Sequence, residues 1–129
     1  MDFSKLNGLI PAVVQDAASG EVLMVGFMNE AAYGRTLETG YATFFSRSRS
    51  TLWTKGETSG NRLRVERLLV DCDHDTVLLQ AVCEGDGVAC HTGERTCFRD
   101  ASVPTSGAGR RGPASEEARR GAGAPAGEK

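Results

Sequence analysis

Three aspartates are crowded into the short segment DCDHD, between two apolar runs of the chain. Asp71, Asp73 and Asp75 repel one another, so the cluster costs stability unless a cation or solvent neutralises it. Carboxylate oxygens suit magnesium, calcium or manganese. If the backbone is extended there, the aspartates project to one side and Cys72 and His74 to the other. The segment predicts a site for a hard cation, and a solvated acidic turn is the alternative.

A second set of metal-binding side chains lies in GVACHTGERTCF. Thr92 and Gly93 are turn-forming residues between Cys90 and Cys97, so the chain can fold back there and bring the two thiols together. Cys72 would complete a trio. Three protein ligands leave the fourth tetrahedral position to water, which is the arrangement of catalytic zinc. The spacing is not that of a standard zinc finger, so it indicates a metal site but does not identify the type of site.

Two neighbours of these cysteines have competing interpretations. Cys83 stands in the apolar run LLQAVCEG, which favours a small buried side chain, although a fourth thiolate would close the site and make the zinc structural. His91 follows Cys90 and is our candidate for proton transfer, with His74 as the weaker candidate. The alternative for His91 is a hydrogen-bonding role beside the metal ligand.

Groups that suit a phosphate are concentrated in SRSRSTLWTKGETSGNR. Arg47, Arg49, Lys55 and Ser59 offer guanidinium, ammonium and hydroxyl donors for an anionic substrate. Trp53 adds a ring that can stack on a base or pack in the core. The alternatives are an exposed basic hairpin and a surface that contacts RNA.

The elements that position these groups are mostly strands. LIPAVV and EVLMVGFM are typical of a hairpin with a turn at Gly20, and ATFFS, TLWTK, LRVERLLV and TVLLQAV predict further strands. After the hairpin, Asn29 suits a helix N-cap and Gly40 a C-terminal stop, with Tyr33 and Leu37 on one face of the helix. This order predicts an α+β, mainly β fold: a small strand-rich domain with one or two short helices.

Composition indicates which partners and which cellular location to expect. The chain has 129 residues, 40% of them hydrophobic, and a formal net charge of -2, so the overall balance does not call for nucleic acid or an acidic membrane. No stretch is long and apolar enough for a transmembrane helix, and the amino terminus lacks a secretory pattern, which predicts a cytoplasmic protein with metal-binding rather than disulfide-bonded cysteines. Residues 1–100 are predicted to form the domain, and the Gly/Ala/Pro-rich residues 101–129 a disordered tail.

Five segments together resemble phosphoribosyl-AMP cyclohydrolase, a ring-opening enzyme family of histidine biosynthesis. In chain order they are GLIPAVVQDAASGEVLMVGFMN, TGYATFFSRSR, LWTKGETSGNR, DCDHDT and ACHTGERTCF, and they run from Gly8 to Phe98. The resemblance implies that water adds to C6 of the adenine of 1-(5-phosphoribosyl)-AMP and that the N1–C6 bond then breaks. The product would be the formimino imidazole carboxamide ribotide, and no redox cofactor is needed.

The resemblance also implies a composite metal site in an intertwined homodimer. The family's ligand positions correspond here to Cys72, Cys90 and Cys97 for Zn²⁺ and to Asp71, Asp73 and Asp75 for Mg²⁺. Cys72 would be lent across the dimer interface, and Cys83 occupies no ligand position of the family. The expected partners are a second copy of the chain and a small nucleotide substrate, without nucleic acid or membrane.

Two other functions remain as alternatives. A purine deaminase also attacks C6 of a purine from zinc, but its usual HxE and PCxxC elements are missing from the chain. A zinc-stabilised RNA-binding module would need a closed four-cysteine site that includes Cys83. Many relatives carry a following pyrophosphohydrolase domain, which residues 101–129 are too few and too Gly/Ala-rich to build. We therefore expect a monofunctional cyclohydrolase that receives its substrate from a separate protein.

Overall fold

The computed structural model describes residues 1–98 and 102–106. The described residues form six strands and one α-helix: β1 Ile10–Asp16, β2 Val22–Met28, α1 Glu30–Thr39, β3 Thr43–Ser46, β4 Thr51–Thr54, β5 Leu63–Val70 and β6 Val77–Cys83. The predicted α+β, mainly β fold with a short helix is confirmed. Most of the predicted tail, residues 101–129, lies outside the described residues, so the domain boundary and the disorder stay predictions.

Four of these strands form one sheet in the order β2-β1-β6-β5, and β3 and β4 form a separate antiparallel ribbon. Strand β1 runs antiparallel to β2 and parallel to β6, and β5 runs antiparallel to β6. Along the two central strands, alternate residues are fully buried: Ile10, Ala12, Val14, Val77, Leu79 and Ala81. Because side chains alternate between the faces of a strand, one face of the sheet covers the core.

The β1–β2 hairpin has the turn that its sequence predicts. The backbone N–H of Asp16 donates to the carbonyl of Glu21 at 2.7 Å, and that of Gly20 donates to the carbonyl of Asp16 at 2.9 Å. Gly20 has a φ of 81°, in the left-handed region that glycine adopts without a steric cost. The hairpin is confirmed.

Helix α1 begins and ends where its capping residues predict. The Asn29 side chain accepts a hydrogen bond from the Ala32 N–H, and Gly40, with a φ of 80°, donates its N–H to the Thr36 carbonyl. The face that Tyr33 and Leu37 share is not the buried one, because Leu37 is 58% exposed. Ala32 and Thr36 are buried instead. Thr36 is tolerated there because its hydroxyl donates to the Ala32 carbonyl and accepts from the next strand, at the Thr43 N–H.

The β3–β4 ribbon packs against the sheet through Phe44, whose ring also pairs with Trp53 of the neighbouring ribbon strand. Phe44 is fully buried, and its ring centroid lies 5.0 Å from that of Trp53. The Phe44 ring presses on Gly26 of β2, where a Cβ atom would lie 2.6 Å from Phe44 Cδ1. Position 26 therefore requires glycine.

Within the described residues, no helix has the length and apolar character needed to span a bilayer.

Candidate active site and metal-binding groups

The aspartate segment is a turn between β5 and β6. Residues 72–75 have turn and bend geometry, and His74 has a φ of 61°, so the extended backbone assumed for the alternation of side chains is wrong. The three aspartates are nevertheless together, because each offers a carboxylate oxygen within 4.8 Å of the others. The Oδ1 atom of Asp71 accepts hydrogen bonds from the N–H groups of Asp75 at 3.1 Å and Thr76 at 3.2 Å. The turn's own backbone thus orients its first carboxylate.

A lysine that the sequence analysis did not single out lies on this aspartate turn. Lys5 Nζ is 3.1 Å from Asp75 Oδ2 and 3.4 Å from Asp73 Oδ2. The hydrogen bond to Asp75 is the main reason that the pKa of Lys5 is raised. The amino-terminal segment is held there by a second contact, in which the Asp2 N–H donates to the His74 carbonyl at 2.6 Å. A protein cation therefore already neutralises part of the carboxylate charge.

The second set of candidate metal ligands lies on the loop from Ala89 to Cys97, which we call the thiolate loop. Its chain folds back as predicted: the Cys90 N–H donates to the Glu94 carbonyl at 3.1 Å, and the Gly93 N–H donates to the Cys90 carbonyl at 3.0 Å. The two thiols are consequently close enough for the Cys90 sulfur to raise the pKa of Cys97.

The two thiols of the loop are electrostatically unequal. The Thr92 hydroxyl donates to Cys90 Sγ at 3.1 Å and lowers the pKa of that thiol. Desolvation raises the pKa of Cys97, and the neighbouring Cys90 sulfur raises it further. Cys90 is therefore the first of the pair to become a thiolate, the form in which cysteine binds metal.

The third predicted zinc ligand does not join this pair within one chain. Cys72 is exposed on the aspartate turn. Among the described residues, the set formed by Asp71, Asp73 and Asp75 is the one group of three acidic, histidine or cysteine side chains close enough to share an ion. The thiol trio predicted from the sequence is thus a pair in the single chain, whereas the aspartate trio is complete.

Cys83 is placed apart from the thiolate loop, at the end of β6. It is half-buried against the hydrophobic core, and its thiol donates to the Val88 carbonyl at 3.4 Å. Burial raises its pKa, which disfavours the thiolate. These contacts agree with the interpretation of Cys83 as a core residue. His91 is exposed on the thiolate loop next to Cys90, and His74 is exposed on the aspartate turn, so both are accessible and their proton-transfer roles stay predictions.

The predicted phosphate-binding residues do not share one surface. A cavity of about 370 Å³ lies along the β4 side of the ribbon, and Arg49 and Ser59 line it together with Trp53. Arg47 instead lies over the Phe27 ring, with Cζ 4.2 Å from the ring centroid. Lys55 does not line the cavity either, and its charge adds a smaller lowering of the Cys90 pKa to that from Thr92. Only Arg49 and Ser59 of the four therefore line this cavity.

Sequence reasoning also missed the ion pairs that hold the thiolate loop. Arg95 Nε lies 2.8 Å from Glu21 Oε1, and Arg95 Nη2 lies 3.1 Å from Asp16 Oδ1. The signal in the sequence is weak, since one arginine between two cysteines does not reveal its partners. Both partners belong to the β1–β2 hairpin, so the contact depends on the tertiary fold.

Comparison with known proteins identifies the relatives of this chain. The family model described as phosphoribosyl-AMP cyclohydrolase matches residues 24–99. The phosphoribosyl-AMP cyclohydrolase of Desulfatibacillum aliphaticivorans is 58% identical over 98 residues, which cover 76% of this chain and 78% of that protein. Its counterpart in Listeria innocua is 53% identical over 98 residues, covering 76% and 90%. The histidine biosynthesis bifunctional protein HisIE of Bacteroides thetaiotaomicron is 55% identical over 98 residues, covering 76% and 47%.

Proposed function

Since this chain belongs to the phosphoribosyl-AMP cyclohydrolase family, we propose that it is a zinc-dependent hydrolase of histidine biosynthesis that opens the adenine ring of 1-(5-phosphoribosyl)-AMP. Water adds to C6, the N1–C6 bond breaks, and N1 takes a proton, which yields the formimino imidazole carboxamide ribotide. The observation that carries the zinc-dependent chemistry is the folded-back thiolate loop with Cys90 and Cys97, in which the Thr92 hydroxyl donates to Cys90 Sγ and lowers the pKa of that thiol.

The donor sets fit two different metal ions. Paired thiols are soft ligands that suit Zn²⁺, and we propose Cys90 and Cys97 as two of its ligands, with Cys72 of a second subunit as the third. The carboxylates of the aspartate turn are hard ligands that suit Mg²⁺. When bound, zinc acts as a Lewis acid that lowers the pKa of water at its open position.

The remaining roles fall to side chains of the chain itself. His91 lies beside Cys90, and we assign to it the proton that N1 needs as the ring opens. Arg49 and Ser59 line a cavity large enough to take a phosphoribosyl group and would bind a phosphate there. The charge of Lys55 would attract the anionic nucleotide towards Cys90, and Arg47, which lies over the Phe27 ring, would attract it from outside the cavity.

A homodimer would complete the zinc site, and two features support it. The first is that Cys72 lies outside the Cys90–Cys97 pair of its own chain. The second is the outer face of the sheet, where Val25 is 46% exposed and an apolar groove of about 340 Å³ is lined by Val13, Leu69 and other residues up to the aspartate turn. A second copy seated on this groove would lie next to the turn that carries Cys72.

Incubation of the purified protein with phosphoribosyl-AMP tests substrate, reaction and metal together. We expect the absorbance change of purine ring opening with metal-replete protein, its loss after treatment with a zinc chelator, and its recovery on addition of Zn²⁺. Release of ammonia without ring opening would instead indicate a deaminase. The absence of any change with metal-replete protein would refute the proposal.

Because its thiols must stay reduced, we place the enzyme in the cytoplasm.

A further inference from the structure

We propose that Arg95 is a positioning residue, which sets the separation of the Cys90 and Cys97 thiols by clamping the thiolate loop to the β1–β2 hairpin. The inference rests on the proposed function in one respect, namely that the paired thiols bind zinc. The clamp itself consists of contacts within a single chain, so it can be tested in metal-free protein as well.

The clamp has three attachments to the hairpin. Arg95 forms the ion pairs with Asp16 and Glu21, one on each side of the hairpin turn. The Thr96 hydroxyl donates to the Val22 carbonyl at 2.7 Å, and the Cys97 N–H donates to the Leu23 carbonyl at 2.8 Å. These contacts connect three consecutive loop residues to the hairpin turn and the start of β2.

The part of the hairpin that Arg95 and Thr96 contact is held in place by burial and by a hydrogen bond. Asp16 is only 9% exposed, and its second oxygen, Oδ2, accepts a hydrogen bond from the Ser19 N–H at 2.8 Å. Thr96, which is 3% exposed, fills the space between loop and strand. A guanidinium fork that meets two carboxylates, one of them buried and held by a further hydrogen bond, has one favoured orientation. Arg95 therefore transmits the geometry of the hairpin to the loop.

The same residue also connects the two ends of the loop. The Arg95 carbonyl accepts a hydrogen bond from the Ala89 N–H at 3.2 Å, immediately before Cys90, and Arg95 stands two positions before Cys97. A change in the position of Arg95 consequently alters the separation of the two sulfur atoms. Exposed ion pairs contribute little to global stability, so the loss of the fork should act mainly on the loop.

The test compares Arg95→Ala with Arg64→Ala in the full-length protein. Arg64 is a matched control, because it is about as exposed as Arg95, at 48% against 44%, and also pairs with two carboxylates, those of Glu66 and Glu84. Zinc affinity is measured by competition with a chelator of known affinity. Hydrogen exchange of the Cys97 N–H is measured by NMR in metal-free protein, because that amide bonds to β2.

We expect Arg95→Ala to weaken zinc binding by about tenfold or more and to speed Cys97 exchange, while Arg64→Ala changes both by less than about twofold. Arg95→Lys should fall between Arg95→Ala and the wild type, since an ammonium keeps the charge and loses the fork. Unchanged zinc affinity and unchanged exchange in Arg95→Ala would overturn the inference.

The exchange measurement and one more variant distinguish failure of the clamp from failure of the proposed function and from misfolding of a variant. If the wild type binds no zinc, the proposed function fails, and the exchange rate of the Cys97 N–H alone still decides for or against the clamp. If Arg95→Ala does not fold, Glu21→Ala removes the acceptor of one arm of the fork at a half-buried position. Faster Cys97 exchange in that variant supports the clamp, and wild-type exchange contradicts it.

Discussion

The aspartate turn and the thiolate loop differ in how the chain brings metal-binding groups together. The turn collects its three carboxylates from five consecutive residues, and its own backbone N–H groups orient Asp71. The thiolate loop brings two sulfurs together by internal hydrogen bonds, but it is held by a hairpin that is distant in sequence, and its third proposed ligand lies on the aspartate turn. The proposed site for a hard cation is thus encoded locally, whereas the proposed thiol site depends on tertiary and quaternary structure.

The two regions also differ in charge. The aspartate turn is anionic and is partly neutralised by Lys5, so an incoming metal ion has to compete with a protein cation. The thiolate loop contains thiols that must lose protons before they bind metal, and Thr92 favours that loss at Cys90. Metal binding is therefore expected to depend on competing cations at the turn and on pH at the loop.

Removal of one loop thiol is the change with the largest expected effect. Cys90→Ser should abolish zinc binding and lower kcat/KM by about a thousandfold or more, because the metal supplies several kcal/mol of transition-state stabilisation. Zinc content and ring-opening rate are the measurements. Cys83→Ala is the control and should keep its zinc, since Cys83 packs in the core. Zinc lost from Cys83→Ala and kept in Cys90→Ser would reverse the roles of the two cysteines and favour a structural zinc module.

Mixing two inactive variants tests whether the thiol site is shared between subunits. Cys72→Ser and Cys90→Ser should each be inactive, but a mixed dimer contains one site with all three thiols. Random exchange of equal amounts should therefore restore about a quarter of wild-type activity. Cys90→Ser mixed with Cys97→Ser is the control and should restore none, because both changes lie on the same loop. Full zinc binding by a monomeric wild type would contradict the shared site.

Replacement of His91 separates chemistry from metal binding at the thiolate loop. His91→Ala should lower kcat by about a hundredfold and leave the zinc content nearly unchanged, because the side chain is assigned to proton transfer. His74→Ala on the aspartate turn is the matched control, with an expected change of a few fold. Turnover of His91→Ala within a few fold of the wild type would remove the assignment.

The pH dependence of stability tests the contribution of Asp16, one of the two carboxylates that Arg95 contacts in the clamp. Hydrogen bonds from Ser19 lower the pKa of Asp16 below its usual value, so its contribution to folding is present above the unfolded pKa of about 3.9 and is lost as pH falls through the folded pKa. Asp16→Asn should lower the free energy of unfolding by about 1 kcal/mol at pH 7, and by less below about pH 4. Denaturant titrations over this range provide the measurement, and a difference that does not shrink in acid would contradict it.

The smallest expected effect concerns the cation that already lies on the aspartate turn. Lys5→Gln should strengthen Mg²⁺ binding by only about two- to fivefold, because exposed ion pairs such as those of Lys5 are weak. Isothermal titration with Mg²⁺ measures the change. Arg35→Gln, which removes the same charge from the exposed side of α1, should leave the affinity unaltered. Weaker Mg²⁺ binding in Lys5→Gln would show that the lysine assists the metal.

Local signals in the sequence were sufficient for most of the fold. Asn29 and Gly40 marked the ends of the helix, because capping depends on hydrogen bonds within a few residues. Gly20 marked the hairpin turn for a similar reason. The buried face of the helix had no such local signal: Leu37 is exposed, and Thr36 is buried through hydrogen bonds to β3 that no helical periodicity reveals.

The sequence by itself determined which residues can bind metal, because residue type decides ligand chemistry. The spacing of Cys90 and Cys97 also allows the chain to fold back between them. Tertiary structure decided how those residues are held. It made the aspartate segment a turn, placed Arg47 over Phe27 rather than in the cavity, and brought Arg95 to the hairpin. The physical reason is that contacts between distant segments depend on the order of strands in the sheet, and the parallel pairing of β1 with β6 has no local signal in either strand.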